Sequence, residues 1–491
     1  MQNKKELDSV LQEIIDRWDI PGLAVGIVQD NEIVYARGFG VQNVDTRAPV
    51  TPDSVFCVAS ISKAFVATAV VQLAERGMIS LDAPLVDYLP YFRLDDERYP
   101  LLTIRQMLSH TSGMPDSDEI EYTELLAHPE YDAAAAERYV RRLNHRKLAA
   151  APGERFLYSN IAYNVLGDMI AKVSGNSFET YMQQQILIPA GMPNSTFLFA
   201  DVTPDLLAVP HLRAPEMIVS PSYPYHRADA PASFLHATVL DMCHWGLTCL
   251  ERGRHSGHSL LSPASYEMMW TPVVAWGYSR PSIYEDMGLG WTLGHYKNIK
   301  TISHGGMGFG WTDFLVILPE KRQAAVILCN EESFARGRTV RAVVDAMLGE
   351  KPQVDTVSWM VPVSHALMEG GIESAYACYA SLRAGGTQAY YFDEADLPNL
   401  AIQMVLAKKV DLAIEVLGLN MHVYPQHIES YIDQAKLYLQ KGEFASAEQC
   451  LLKALSVEPN NTRALELLEQ VSQHYQSQSA KSQLFSHRSR R

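Results

Sequence analysis

The order of apolar and polar positions predicts secondary structure from the first residues onward. Residues 6–18 have the apolar spacing of an amphipathic helix. The following segment, GLAVGIVQDNEIVYARGFG, has the pattern of two strands around Asp30-Asn31, a sequence that suits a two-residue hairpin turn. A helix and a β-hairpin are therefore predicted ahead of the segment FCVASISKAF.

A long apolar stretch follows the hairpin. From Ser60 to Arg76 the chain has no Gly or Pro, and apolar residues occupy nearly every face of the predicted helix. Gly77 provides a signal for the end of that helix. A helix that is apolar all round is a buried one, and Ser60 would lie in its first turn, where free backbone N–H groups favour negative charge.

Strand patterns return late in the chain, after a middle region of short helical patterns and loops at about residues 80–285. Four segments are rich in β-forming residues, namely GLGWTLGHY, TISHGGMGF, WTDFLVILPE and QAAVILCN. Two groups of strands around a helical middle predict an α+β unit with one sheet built from both ends. The unit closes with the helical segment GRTVRAVVDAML near residue 348.

The composition then becomes rich in Ala and Leu, and a repeat of 34 residues appears. The matched pairs are Ala401 with Ala435, Val405 with Leu439, Val410 with Phe444, Ala413 with Ala447, Leu417 with Leu451 and Pro425 with Pro459. This period resembles the tetratricopeptide repeat, a pair of antiparallel helices. An all-α domain is expected, and the predicted limits are 1–350 for the first domain, 351–362 for a linker, 363–475 for the helical domain and 476–491 for a flexible tail.

Composition and charge exclude several classes of function. The chain has 491 residues with a formal net charge of -15, which disfavours attraction to nucleic acid or an anionic membrane. Six cysteines are scattered along the chain without metal-binding spacing, and this pattern predicts reduced thiols. No export signal or membrane-spanning run is recognised, so a cytoplasmic location is expected.

Three short motifs occur in a fixed order. Ser60 and Lys63 lie three positions apart, Tyr158-Ser159-Asn160 precede a predicted helix, and His304-Gly305-Gly306 lie on or beside a predicted strand. In this order the motifs resemble those of the serine β-lactamase and penicillin-binding protein superfamily, particularly its class C-like branch of esterases, D-amino-acid peptidases and lactamases. The resemblance covers about residues 6–348 and includes LLTIRQMLSHTSGMP, PGERFLYSN and GLGW.

The resemblance implies the β-lactamase-like fold, an antiparallel sheet flanked by helices with a mainly helical subdomain. It also implies a serine hydrolase in which Ser60 forms an acyl-enzyme with an ester or amide. A serine hydroxyl needs a base, and both Lys63, if burial lowers its pKa, and Tyr158, if a nearby cation favours phenolate, are candidates. The sequence does not determine which of the two residues is the base.

The remaining site residues are assigned by the same resemblance. Two backbone N–H groups, of Ser60 and Met307, are expected to bind the oxyanion, while Asn160 binds the substrate amide or positions Lys63. Gly305 and Gly306 would allow a substrate to approach the strand closely. His304 stands where lactamases and carboxypeptidases of the superfamily carry lysine, which weakens the case for a penicillinase and favours an esterase or peptidase.

Competing interpretations remain open. Ser62 is a rival nucleophile without a lysine three residues on, and His110 is expected to be a structural hydrogen-bonding residue. No metal or organic cofactor is expected, and the partners are a small-molecule or peptide substrate and, through the helical repeats, another protein or a second copy. The alternatives are an acyltransferase or peptide-cyclising enzyme using the same acyl-Ser60, and a non-catalytic protein that binds through its repeats.

Overall fold

The computed structural model describes residues 4–116, 128–255, 257–277, 283–332, 335–354, 357–385 and 390–488. The chain separates into two compact units. The first consists of Met1–Leu212 and Met217–Asp355, and the second of Arg213–Glu216 and Thr356–Arg491. The main division therefore lies just beyond the predicted limit at residue 350, and a four-residue segment that the sequence places in the first domain groups with the second.

An antiparallel sheet of eight strands forms the centre of the first unit. The strands among the described residues are β1 (Gly22–Gln29), β2 (Glu32–Gly40), β3 (Val55–Cys57), β4 (His211–Arg213), β5 (Met217–Val219), β6 (His236–Thr238), β7 (Arg254–His255), β8 (His258–Ser259), β9 (Val274–Ala275), β10 (Asp286–Met287), β11 (Thr292–Tyr296), β12 (Ile299–Gly308), β13 (Trp311–Leu318), β14 (Gln323–Cys329), β15 (Val357–Ser358) and β16 (Tyr390–Tyr391). The spatial order of the sheet is β2-β1-β14-β13-β12-β11-β10-β9. One sheet is thus built from both ends of the unit, as predicted.

The first hairpin has the predicted geometry. Asp30 and Asn31 both have positive φ, 50° and 70°, which is what a two-residue turn of this twist requires. Strand β1 pairs on its other side with β14, with Ala24 opposite Leu328. The amino-terminal hairpin is therefore joined directly to the last strand of the sheet.

The α-helices in the described part of the chain are α1 (Lys4–Trp18), α2 (Ser62–Glu75), α3 (Ile104–Leu108), α4 (Ala135–Arg142), α5 (Asn160–Ser174), α6 (Phe178–Met182), α7 (Ala230–Ser233), α8 (Val239–Leu250), α9 (Pro263–Met269), α10 (Arg336–Met347), α11 (Met360–Ala384), α12 (Asp396–Leu406), α13 (Val410–Val423), α14 (Ile428–Gln440), α15 (Phe444–Val457) and α16 (Thr462–Arg488). Among the described residues, no helix combines the length and the apolar character needed to cross a membrane.

Helix α2 is the buried helix that the apolar pattern predicts. Every residue from Ser62 to Leu73 is buried. Phe65 stacks on Trp245 of α8 with 4.0 Å between the ring centroids, and α8 in turn packs on β1 and β14. Helix α2 is therefore enclosed within the unit and separated from solvent along most of its length.

The start of this helix differs from the prediction. Residues Ala59–Ile61 form a 3₁₀ turn, and the α-helix begins at Ser62 rather than at Ser60. The cause is local, because Ala59 has a φ of 43°, which a right-handed helix does not accommodate. Ser60 thus lies in a tight turn ahead of the helix, one residue after a strained backbone position.

The second unit contains helix pairs with the spacing that the repeat predicts. Helices α13 and α15 are 14 residues each and start 34 positions apart, at Val410 and Phe444. The matched residues Ala413, Leu417, Ala447 and Leu451 are all buried. Among the described residues from Val357 onward, the strands are β15 and β16, two residues each, and the other elements are helices. Assignment of this region to the tetratricopeptide repeat stays a prediction.

The flanks of this helical region are more ordered than the predicted limits suggest. Helix α11 begins at Met360, inside the predicted linker, and has a non-helical residue at Gly371, so it consists of two helical segments. Helix α16 continues to Arg488 and includes most of the segment predicted as a tail. Two consecutive helical segments therefore occupy Met360–Ala384.

Candidate active site

Three separate parts of the first unit meet around Ser60. They are the 3₁₀ turn at Ala59–Ile61, the amino-terminal end of α5 and strand β12. The turn contacts β12, and α2 contacts α5 and α7. The backbone N–H of Val58 donates to Leu235 O at 2.8 Å and ties the turn to the segment before β6. All three sequence motifs are therefore brought to one place.

The amine of Lys63 is the centre of this arrangement. Its Nζ lies 2.9 Å from Ser60 Oγ, 2.7 Å from Asn160 Oδ1 and 2.8 Å from Ala232 O. The side chain is fully buried. Burial lowers the pKa of Lys63 to about 7, while the negative charge of Asp116 acts in the opposite direction. A substantial neutral fraction therefore exists near neutral pH.

The phenol of Tyr158 forms a hydrogen bond with the Ser60 hydroxyl. Burial raises the pKa of Tyr158 above its usual range, and its hydrogen bond with Ser60 opposes that shift only in part. Lys63 Nζ lies 5.0 Å from the Tyr158 ring centroid, over the ring face. Burial and the negative charge of Asp116 both favour the protonated phenol, and the choice between Lys63 and Tyr158 as the base stays a prediction.

His110 holds Tyr158 and the start of α5 in place. Its ring stacks on Tyr158 with 4.2 Å between centroids. His110 Nδ1 accepts from the backbone N–H of Ser159 at 3.1 Å, and burial lowers the pKa of His110 well below its usual value. The Ser159 hydroxyl caps α5 by accepting from Ala162 N. The neutral ring is a structural hydrogen-bonding group, as the sequence predicts.

Ser62, the rival nucleophile, has a different role. Its hydroxyl donates to Ala59 O at 2.6 Å and accepts from the backbone N–H of Leu235 at 3.0 Å. The side chain is fully buried. Both contacts connect the hydroxyl to the backbone, so Ser62 stabilises the turn that presents Ser60.

The third motif lies on β12 beside this turn. A Cβ on Gly306 would lie 2.5 Å from Val58 O and 3.3 Å from Ser60 N. Glycine at this position therefore allows the strand to approach the serine turn. Gly305 pairs opposite Phe314, and Met307, the next residue after the motif, has a side chain that is 41% exposed.

His304 is a neutral residue in this structure. It is buried, and its Nδ1 lies 2.8 Å from Gly305 O. Because a carbonyl oxygen only accepts, Nδ1 carries the proton. Burial, with the positive charges of Lys63 and Arg336, lowers the pKa of His304 to about 3. The residue that replaces the superfamily's lysine therefore offers no positive charge to a substrate.

Two side chains of the site were missed by the sequence analysis. Asp116 accepts from the backbone N–H of Asn160 at 3.0 Å and from its Nδ2 at 2.9 Å. Arg336, at the start of α10, has Nη1 3.4 Å from the place of a Cβ on Gly305. Asp116 directly follows the segment LLTIRQMLSHTSGMP, so the motif could have identified it. In contrast, no local sequence pattern links Arg336 to β12.

The polar side chains around Ser60 differ in kind from the ligands of a metal site. In the part of the chain that the structure describes, no three or more His, Cys, Asp or Glu side chains are grouped so that they could hold a metal ion. The groups around Ser60 are an amine, a phenol and an amide, which are suited to moving protons.

The close approach of β12 to the serine turn predicts an effect on stability. Gly306→Ala adds a methyl group 2.5 Å from Val58 O and 3.0 Å from Ala59 Cβ, so we expect the free energy of unfolding to fall by about 1–3 kcal/mol. Gly337→Ala is the control, because a Cβ there meets nothing within 4 Å. Urea denaturation of both variants checks this, and equal midpoints would contradict the predicted clash.

Comparison with known proteins places the first unit in a family. The sequence model of the family described as Beta-lactamase matches residues 7–348. Protein flp of Staphylococcus aureus (strain COL) is 23% identical over 333 residues, which cover 67% of this chain and 64% of flp. The match therefore spans just under two thirds of the length of that relative.

Solved structures show the same fold. The octameric penicillin-binding protein homologue from Pyrococcus abyssi is 27% identical with a TM-score of 0.62, covering 72% of this chain and 78% of that one. A class C beta lactamase from Rhodobacter sphaeroides aligns over 70% of this chain and all of its own length, with 22% identity and a TM-score of 0.57, a likeness in fold alone. On the evidence of the match over residues 7–348, the chain belongs to the Beta-lactamase family.

Proposed function

We propose that the first unit is a serine hydrolase that cleaves an ester or amide through an acyl-enzyme on Ser60. The observation that supports this most strongly is the set of three contacts around the buried Lys63 amine. Membership of the Beta-lactamase family supports the same class of reaction.

The contacts of Lys63 define the direction of its lone pair. A neutral amine has two N–H donors and one lone pair. Asn160 Oδ1 and Ala232 O can only accept, and they lie 2.7 and 2.8 Å from Nζ. Both N–H groups are used by these acceptors, so the lone pair is left facing Ser60 Oγ at 2.9 Å. In the neutral state Ser60 then donates its hydroxyl proton to Lys63.

The proposed reaction proceeds in two halves. Ser60 Oγ attacks the substrate carbonyl carbon while its proton passes to Lys63, and the carbonyl π electrons move onto oxygen. Collapse of this intermediate breaks the bond to the leaving group, which takes a proton from Tyr158, and Lys63 returns a proton to the phenolate. Water then attacks the acyl-enzyme by the same steps and releases the acid.

Tyr158 fits the acid role better than the base role. Burial raises the pKa of its phenol, so the protonated form predominates at neutral pH. Lys63, with a pKa near 7, is available as the base. The oxyanion is assigned to the backbone N–H groups of Ser60 and Met307, of which Ser60 N lies beside Gly306.

We propose that Arg336 binds the substrate group next to the reacting carbonyl. The neutral His304 argues for substrates without a carboxylate, yet Arg336 Nη1 lies 3.5 Å from Gly306 O, next to the strand that the substrate would follow. A carboxylate there would be paired with a guanidinium instead of the lysine that is absent.

Location and the role of the second unit are also proposals. All six cysteines are free thiols and five are buried, which supports a reducing compartment such as the cytoplasm. The stacked helix pairs of the second unit suit self-association or binding of a protein partner.

Removal of the nucleophile tests the proposed function. We expect wild-type protein mixed with p-nitrophenyl esters, nitrocefin or a D-alanyl amide to form a Ser60 adduct visible by intact-protein mass. Ser60→Ala should lack it, with turnover reduced by about 10⁴-fold or more. Ser62→Ala is the matched control and should still form the adduct. A folded wild-type protein that forms no adduct with any of these substrates would refute the proposal.

The pH dependence follows from the pKa of Lys63. Because the neutral amine is the active form and its pKa is about 7, kcat/KM for an ester should rise about tenfold per pH unit below pH 7 and level off above it. Steady-state rates from pH 5 to 9 measure this acid limb. A limb centred near pH 4–5 would assign the base to a carboxylate instead.

Arg336→Gln tests the proposed carboxylate contact. With a pair of p-nitrophenyl esters, the succinate monoester and the neutral butyrate, we expect KM for the succinate ester to rise about tenfold or more. KM for the butyrate ester should be almost unchanged. Arg338→Gln on the same helix is the control, since the Arg338 guanidinium lies 5.5 Å from the Trp18 ring centroid. Equal increases in KM for both esters would contradict the proposed contact between Arg336 and a substrate carboxylate.

A further inference from the structure

Asp116 and Asn160 form an extended hydrogen-bonded pair next to Lys63. The backbone N–H of Asn160 donates to Asp116 Oδ1 at 3.0 Å, and its Nδ2 donates to Asp116 Oδ2 at 2.9 Å. The opposite side of the amide, Oδ1, accepts from Lys63 Nζ at 2.7 Å. The Asp116 carboxylate thus accepts hydrogen bonds from both the backbone and the side chain of Asn160, the first residue of α5.

The carboxylate determines which way the Asn160 amide faces. An ionised carboxylate has acceptors only, so the NH₂ group of Asn160 must point to Asp116 and the oxygen must point away from it. The oxygen therefore faces Lys63. A rotated amide would place an N–H donor against the amine and remove one of the two acceptors that occupy its N–H groups.

We infer that Asp116 is a positioning residue that fixes the Asn160 amide and, through it, directs the lone pair of neutral Lys63 at Ser60. This inference rests on the proposed function for its catalytic meaning. The hydrogen bonds themselves, from Asp116 through Asn160 to Lys63, are independent of the substrate.

Asp116 also acts on Lys63 through its charge. Its negative charge favours the protonated amine, opposite to the effect of burial. His110 and His304 are both neutral because burial lowers their pKa values, and the phenols have raised pKa values. The titratable groups that face Lys63 are Asp116, His110, His304, Tyr158 and Tyr163.

Two substitutions separate orientation from charge. Asp116→Asn keeps an acceptor oxygen for the Asn160 amide but removes the charge, whereas Asp116→Ala removes both. Asp168→Asn is the control, because this carboxylate lies on the same helix, eight residues from Asn160 or about 12 Å along the axis, and its Oδ2 accepts from Tyr91 at 2.6 Å.

The first measurement does not need activity. In protein labelled with [ε-¹³C]lysine, the signal of Lys63, assigned by its loss in Lys63→Arg, is followed by NMR as a function of pH. We expect the midpoint for Lys63 to move to lower pH by about 1 in both Asp116 variants, and to stay in place in Asp168→Asn. An unchanged midpoint in Asp116→Asn would overturn the link between Asp116 and Lys63.

The second measurement is the pH profile of ester hydrolysis. The acid limb of kcat/KM should move to lower pH in both Asp116 variants, while kcat at high pH falls by about 10²-fold in Asp116→Ala and by much less in Asp116→Asn. Equal losses in both variants without movement of the limb would indicate a merely structural role. If no Ser60 adduct forms in the wild type, the proposed function fails, and the NMR midpoint still tests the link between Asp116 and Lys63.

Discussion

The desolvation of the Lys63 amine is the constraint on which the rest of the site depends. An ammonium ion removed from water loses several kcal/mol of hydration, so a buried lysine adopts the neutral form unless a counter-charge compensates. The apolar faces of α2 provide that burial, since every residue from Ser62 to Leu73 is buried. The same surroundings stabilise the protonated phenol of Tyr158, so one environment favours both a neutral amine and a neutral phenol.

The fold provides this burial by joining distant parts of the chain. Lys63 and Ala232, which are 169 positions apart, meet because α2 packs on α7. Strand β12 reaches the serine turn because Gly306 lacks a side chain that would meet Val58 O. Pairing between β1 and β14 joins the amino-terminal hairpin to the later strands of the sheet. The site therefore depends on packing between segments that are far apart in the sequence.

The sequence predicted what depends on short spacing and missed what depends on packing. The spacing of three positions predicted that Ser60 and Lys63 lie within reach of each other, and Tyr158 and Asn160 came from a motif beside a predicted helix start. The 3₁₀ turn was missed, because an apolar pattern does not distinguish it from an α-helix when the cause is one backbone angle at Ala59. Arg336 was missed for another reason, since only tertiary packing brings α10 to β12.

The replacement at His304 changes how charge is distributed around the lysine. A lysine at this position would place a second cation near Lys63 and stabilise its neutral form further by repulsion. The buried, neutral imidazole removes that effect, so the proton affinity of Lys63 is determined by burial and by Asp116. The positive charge that a substrate carboxylate would require is proposed to come from Arg336, next to Gly305 and Gly306. On this proposal, base activation and anion recognition depend on different parts of the chain, so that each could change without the other.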